Sequence, residues 1–355
     1  MKGYLVLENG RVFSGKLLND CLASGGEVVF TTAMISYQDI ITDPSYYGQI
    51  IVMTYPLVGN VGFNEKSFAS RASMIKGLVL REATDFPSHY EMETDLISFL
   101  NNSEIAVLTE VDTRALTREL RTNGPTGGII TAELTDLEML KQKARAAAAE
   151  LNGDLIRFVS RKNIMQFGSS TKKIVLLDLG TKRGVINSFN MRDVSVIAVP
   201  ADTTAEEITH FQPQGVFISD GPGDPRTVPY VIDTIKKLYG KYPLLGVGMG
   251  HQLIALACGA HIEKLRQGHR GSNHPVKDVN SHRVYITTQN HGYAVSIDSL
   301  KNTDLVPTFT SLHDGVLEGV KHKTLPISSV QFDPEGYTGY SDTGFVFDDF
   351  IAALV

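Results

Sequence analysis

Cysteine is nearly absent. The 355 residues hold two, Cys21 and Cys258, in no C-x-x-C pair and at no metal-ligand spacing. Long apolar runs are missing too: none approaches the ~18–20 residues of a membrane-spanning helix. The opening MKGYLVLENG carries a Gly and a Glu-Asn pair where a signal peptide needs an unbroken apolar core. These absences point to a reduced, cytoplasmic protein with no membrane partner. A basic excess is also lacking. Lys and Arg number 33 against 39 Asp and Glu, a formal net charge of −6, which gives no general electrostatic reason to bind nucleic acid. No G-x-x-x-x-G-K-[ST] run occurs, so the chain carries no phosphate-cradling loop of that kind. No internal repeat or low-complexity segment appears.

What is present is an ordinary globular mixture, 42% apolar and 20% charged, long enough for two domains. Residues 1–150 read as mixed and strand-rich. Tyr4–Leu7 and Val12–Phe13 flank Glu8-Asn9-Gly10, a hairpin signal. Further strands are expected at Gly25–Phe30, Gln49–Tyr55, Lys76–Leu80 and Ile105–Thr109, with helices at Glu91–Asn101, from the N-cap Asp112 to about Arg121, and at Leu134–Ala149. Residues 151–172, with Gly168-Ser169-Ser170, read as a linker.

From 173 to 355 short apolar strands alternate with helices: strands at Ile174–Leu177, Val194–Val199, Gly215–Ile218 and Leu244–Val247, with helical crossovers between them. That rhythm predicts a largely parallel, three-layer α/β domain. Ligands in such folds sit at the carboxyl ends of the strands, where two Gly-rich turns fall, Asp220–Pro225 and Gly246–Gly250. The second turn, Leu245-Gly246-Val247-Gly248-Met249-Gly250-His251-Gln252, has the strand–sharp turn–helix pattern of a nucleophile elbow. Its apex, Gly248, has no side chain. A dinucleotide fingerprint would need its last Gly where His251 stands.

This segment resembles the elbow of class I glutamine amidotransferases, in which a cysteine stands at the position of Gly248. The first half is similar to the small subunit of carbamoyl-phosphate synthetase. The matching runs are Gly26–Phe30, Tyr37-Gln38, Thr42–Tyr46, Tyr55-Pro56, Gly59–Gly62 and Asp112-Thr113-Arg114. The resemblance covers nearly the whole chain. It implies a strand-rich small-subunit domain followed by a three-layer amidotransferase-like domain. It also implies a partner, a large subunit that holds ATP and Mg and makes carbamoyl phosphate for arginine and pyrimidine synthesis, with no cofactor in this chain.

The resemblance further implies a Cys-His-Glu triad. Here Gly248 replaces the Cys, Asp333 replaces the His, and Glu335 matches the orienting carboxylate. Burial beside Glu335 is one route by which Asp333 would become a better base. Implied glutamine contacts are Gly221, Gly223, Met249, Gln252, Asn290, Gly292 and Tyr293, with Ala33 where the family places a serine and Asp220 where it places an asparagine. Cys258 lies ten residues past the apex, mostly along helix, about 15 Å away, and reads as a core residue. His269, His274 and His282 fit no standard zinc spacing, so no metal is expected. His251 reads as structural, and Asp112, Thr113, Arg114 and Arg118 read as packing and intersubunit surface.

Three functional readings follow. The first is a non-hydrolysing small subunit supporting synthesis from free ammonia. The second is a glutaminase using an unusual route, and the third a subunit that binds glutamine as a signal without cleaving it.

Overall fold

The computed structural model describes all residues except 20–22, 85, 104, 337–340 and 355, so Cys21 lies outside the described residues. The chain divides into two compact units, Met1–Gly153 and Asp154–Val355.

In the first unit the Glu8–Gly10 turn joins β1 (Lys2–Leu7) to β2 (Val12–Leu17) as an antiparallel hairpin, with Gly10 at φ 88°. The strands that follow are β3 (Ala23–Thr31), β4 (Gln49–Met53), β5 (Leu57–Val58), β6 (Gly77–Val79), β7 (Glu82–Ala83), β8 (Ala106–Thr109) and β9 (Thr126–Thr131). Seven of them close into a barrel in the order β1-β2-β8-β6-β4-β3-β9, while β5 and β7 form a separate parallel pair. The inward residues include Leu5, Leu7, Val28, Ile50, Val52, Leu108 and Ile130, all fully buried. Each contributes roughly 1.5–3 kcal/mol by leaving water.

The helices of this unit are α1 (Tyr37–Thr42), α2 (Leu96–Asn102), α3 (Thr113–Asn123) and α4 (Leu137–Ala149). The helix expected from Glu91 begins only at Leu96. Asp95 caps it by accepting from Ser98 N, and Thr94 is instead bridged to Phe63. Asp112 caps α3 as expected, accepting from Ala115 N. Strand β9 is not among the strands expected above; it carries Gly127-Gly128, and glycine weakens a strand interior. The glycines are there for close approach: a Cβ on Gly127 would stand 2.4 Å from the Ala144 carbonyl of α4.

In the second unit α5 (Ile156–Val159) and β10 (Met165–Phe167) precede the alternating run. Residues 165–167 pair antiparallel with a later strand, so part of the stretch that reads as linker is an edge strand. The run then gives β11 (Lys173–Asp178), α6 (Arg183–Asn190), β12 (Ser195–Pro200), α7 (Ala205–His210), β13 (Gly215–Ile218), α8 (Pro229–Leu238), β14 (Leu244–Val247) and α9 (Met249–Ala257). After it come β15 (Ile262–Asp278), β16 (Val284–Val295), β17 (Leu305–Ser311), β18 (Leu317–His322), β19 (Ile327–Val330) and α10 (Phe345–Ala352). One ten-stranded sheet results, ordered β10-β12-β11-β13-β14-β19-β18-β17-β15-β16. Its centre, from β12 to β19, is parallel. Apolar clusters cover both faces, one around Leu177, Ile218 and Leu253, the other around Leu176, Phe217 and Phe347. No helix among the described residues is long and apolar enough to cross a membrane.

Candidate active-site elbow

Strand β14 lies between β13 and β19, and both neighbours hold the turn that follows it. Gly248 N donates to Val330 O at 3.0 Å on one side, and Gly250 N donates to Ser219 O at 3.1 Å on the other. The apex, Gly248, has φ 56° and ψ −114°, a conformation that side-chain-bearing residues rarely adopt. Helix α9 starts at once, so its first N–H groups point where an oxyanion would form.

One of those donors is already taken. Asp220, buried at the end of β13, accepts from Met249 N through Oδ1 at 2.8 Å. A Cβ built on Gly248 would stand 2.0 Å from that same Oδ1. The carboxylate therefore fills the space where a nucleophile would begin and ties up the N–H beside it. A negative charge here opposes both a thiolate and an oxyanion. The sequence marked Asp220 only as an exchanged glutamine contact; its reach onto the apex depends on two loops meeting across adjacent strands.

Asp333, expected at the position of the family's histidine, also has close partners. Asp333 is bridged to Thr288 of β16, donating its backbone N–H to Thr288 O at 2.9 Å. Lys182, at the start of α6, places Nζ 2.6 Å from Asp333 Oδ1 and 2.9 Å from Glu335 Oε1, with all three side chains no more than 5% exposed. The two carboxylates are thus joined through an ammonium. The sequence reading missed Lys182, although it lies in the loop after β11, at the ligand-bearing end of the sheet.

The remaining predicted contacts are dispersed in their roles. Gln252 Nε2 donates to Tyr293 O and to Gln331 Oε1, both at 2.9 Å, and so ties β16 to the segment after β19. The Met249 side chain packs in the core with Leu253. Gly221 has no room for a Cβ, which would stand 2.3 Å from Leu179 O, and Gly223 turns at φ 94°. Asn290, Gly292 and Tyr293 lie on β16, and the Arg226 and Lys264 cations stand 5.7 and 5.8 Å from the Tyr293 ring centroid. Ala33 belongs to the first unit, where it is fully buried.

Helix α9 carries two other reactive side chains, His251 and, at its C-cap, Cys258. Cys258 caps the far end of α9, and burial pushes its thiol up to about 11, against a thiolate. His251 is completely buried with Nδ1 2.9 Å from Ser329 Oγ, and burial drives its pKa down to about 3. It is a neutral packing residue at physiological pH. Of the histidines weighed for a metal, His269 and His274 stack at 5.3 Å, while His282 sits in the turn between β15 and β16.

Two family profiles match this chain: carbamoyl-phosphate synthase small chain, CPSase domain, over residues 5–130, and glutamine amidotransferase class-I over residues 175–353. The carbamoyl phosphate synthase small chain of Clostridium perfringens is 43% identical over 351 residues, 99% of each chain. The chain belongs to the carbamoyl-phosphate synthase small-chain family. Other members are similarly near. The pyrimidine-specific small chain of Bacillus subtilis is 44% identical across 100% of this chain and 96% of its own. The Staphylococcus epidermidis small chain is 44% identical across 99% and 96%. Membership fixes the architecture of both units: a strand-rich small-chain domain, then a class I amidotransferase domain.

Two outcomes are expected. Lys182→Met leaves two buried carboxylates without their shared cation and should lower unfolding free energy by about 3–5 kcal/mol in chemical denaturation. His251 stays neutral in the folded state but takes up a proton near its ordinary pKa of 6.5 when unfolded. Its contribution is therefore intact above pH 6.5 and lost as pH falls toward about 3. Between pH 7 and pH 5 the wild type should lose about 2 kcal/mol more stability than His251→Gln; equal losses would contradict the assignment.

Proposed function

We propose that this chain is a small subunit of carbamoyl-phosphate synthetase that no longer cleaves glutamine. It docks to a large synthetase subunit, which holds ATP and Mg and makes carbamoyl phosphate from bicarbonate and free ammonia. In this reading residues 1–150 form the small-subunit domain, 173–355 the amidotransferase-like domain, and 151–172 their connection.

The observation that carries the reading is the Asp220 carboxylate seated on Gly248. Hydrolysis of the glutamine amide through a thioester needs a nucleophile to attack the carbonyl carbon. It needs N–H donors to receive the charge leaving that carbon, and a base to move the proton. Gly248 offers no nucleophile, Asp220 occupies the Met249 N–H, and Lys182 pairs with the carboxylate that stands where the base should be. All three requirements fail within one pocket. The buried carboxylates of Asp333 and Glu335 both have the Lys182 ammonium as counter-ion, which offsets part of the cost of burying them.

The test is the purified small–large complex, assayed at neutral pH for carbamoyl-phosphate synthesis with ammonia and with glutamine. Ammonia should sustain synthesis and glutamine should not; glutamine-dependent turnover at an ordinary amidotransferase rate would refute the reading. Gly248→Cys alone should stay inactive, because its Cβ meets Asp220 and its thiol faces a carboxylate. The triple change Gly248→Cys, Asp220→Asn, Asp333→His should exceed it at least tenfold in glutamine hydrolysis.

A further inference from the structure

Away from the elbow, the antiparallel half of the second sheet buries a group of imidazoles around one carboxylate. His269 of β15 and His291 of β16 are direct cross-strand partners, and Glu318 comes from β18. Register shifts flank His269 on both sides, the kind of irregularity that re-aims a side chain. Exposure is 4% for His269, 7% for His291 and 0% for Glu318. His269 Nδ1 lies 3.1 Å and His291 Nε2 3.8 Å from Glu318 Oε1, and the three possible ligand atoms all fall within 4.8 Å of one another. A tetrahedral zinc ion with bonds of about 2.0–2.2 Å separates its ligand atoms by roughly 3.4 Å.

The outer nitrogens are arranged as a metal site requires. His269 Nε2 faces Asp314 Oδ2 at 2.9 Å, and His291 Nδ1 faces the Tyr293 carbonyl at 2.8 Å. A ligating histidine donates its other N–H to just such a carboxylate or backbone carbonyl, and that bond fixes which nitrogen is presented inward. Glu318 Oε2, fully buried, has no hydrogen-bond partner among the described residues. Two carboxylates, Glu318 and Asp314, stand against His269, the acidic groups a dication needs nearby.

We propose that His269, His291 and Glu318 form a binding site for one divalent transition-metal ion, best suited to Zn²⁺. Two imidazoles and one carboxylate are the ligand chemistry that ion takes. Spacing along the chain does not reveal this group, because its members come from three strands and are 22 and 27 residues apart.

The experiment uses the full chain, stripped with chelator, dialysed, and titrated with Zn²⁺ alone against a chromophoric competitor. One equivalent should bind and raise the thermal unfolding midpoint. His291→Gln and Glu318→Gln should each weaken binding at least tenfold, while His282→Gln should leave it unchanged. Co²⁺ should give the strong visible absorption of a tetrahedral site. Circular dichroism checks that the variants fold, and if Glu318→Gln does not, His291→Gln decides. Failure of the wild-type chain to bind, or binding undiminished in the folded variants, would overturn the proposal.

Discussion

The bond from Met249 N–H to the Asp220 carboxylate organises the amidotransferase-like half of this protein. An elbow is a costly piece of backbone: its apex sits in a conformation that side chains resist, and its helix start presents donors with no partner of their own. Here the Asp220 carboxylate accepts from one of them. Gly248 is compatible with this arrangement because it leaves the space that the carboxylate occupies and tolerates the positive φ without strain.

The same logic extends to the opposite side of the site. A histidine in place of Asp333 would be a neutral base near physiological pH; the aspartate is acidic, and with Glu335 it makes two buried carboxylates. Lys182 lies within hydrogen-bonding distance of both. Removing either partner from such a buried set is expensive, whereas the complete set is stable enough to persist. The ion contacts sit within a sheet whose strand order and apolar layers are those of a three-layer α/β domain.

Much of this architecture was legible in the chain. The four-residue apolar strands Gly215–Ile218 and Leu244–Val247 stand where the sequence pattern placed them, because strands buried on both faces admit little except aliphatic residues. The barrel was less legible. Its closing strand carries Gly127-Gly128, where a Cβ on Gly127 would meet the Ala144 carbonyl of α4 and one on Gly128 the Val28 side chain, so close packing overrides strand propensity there. The start of α2 was read too early because Glu91–Thr94 has no glycine or proline to mark the boundary, and the decisive cap, Asp95, lies four residues on. At the site, the turn geometry of Gly248 followed from its glycine-rich strand–helix junction. The closure of Asp220 over the apex, the reach of Lys182 and the meeting of His269, His291 and Glu318 could not be read from the chain, since each joins segments distant in sequence.

The account rests on the absence of a reactive side chain at the elbow, and covalent trapping addresses that directly. The purified complex would be incubated with an electrophilic glutamine analogue, alongside a relative bearing a cysteine at the apex, and measured by intact-mass spectrometry. An unchanged mass for this chain, with stoichiometric labelling of the relative, is the predicted result. A stoichiometric adduct mapped to any side chain of this subunit's elbow pocket would contradict it.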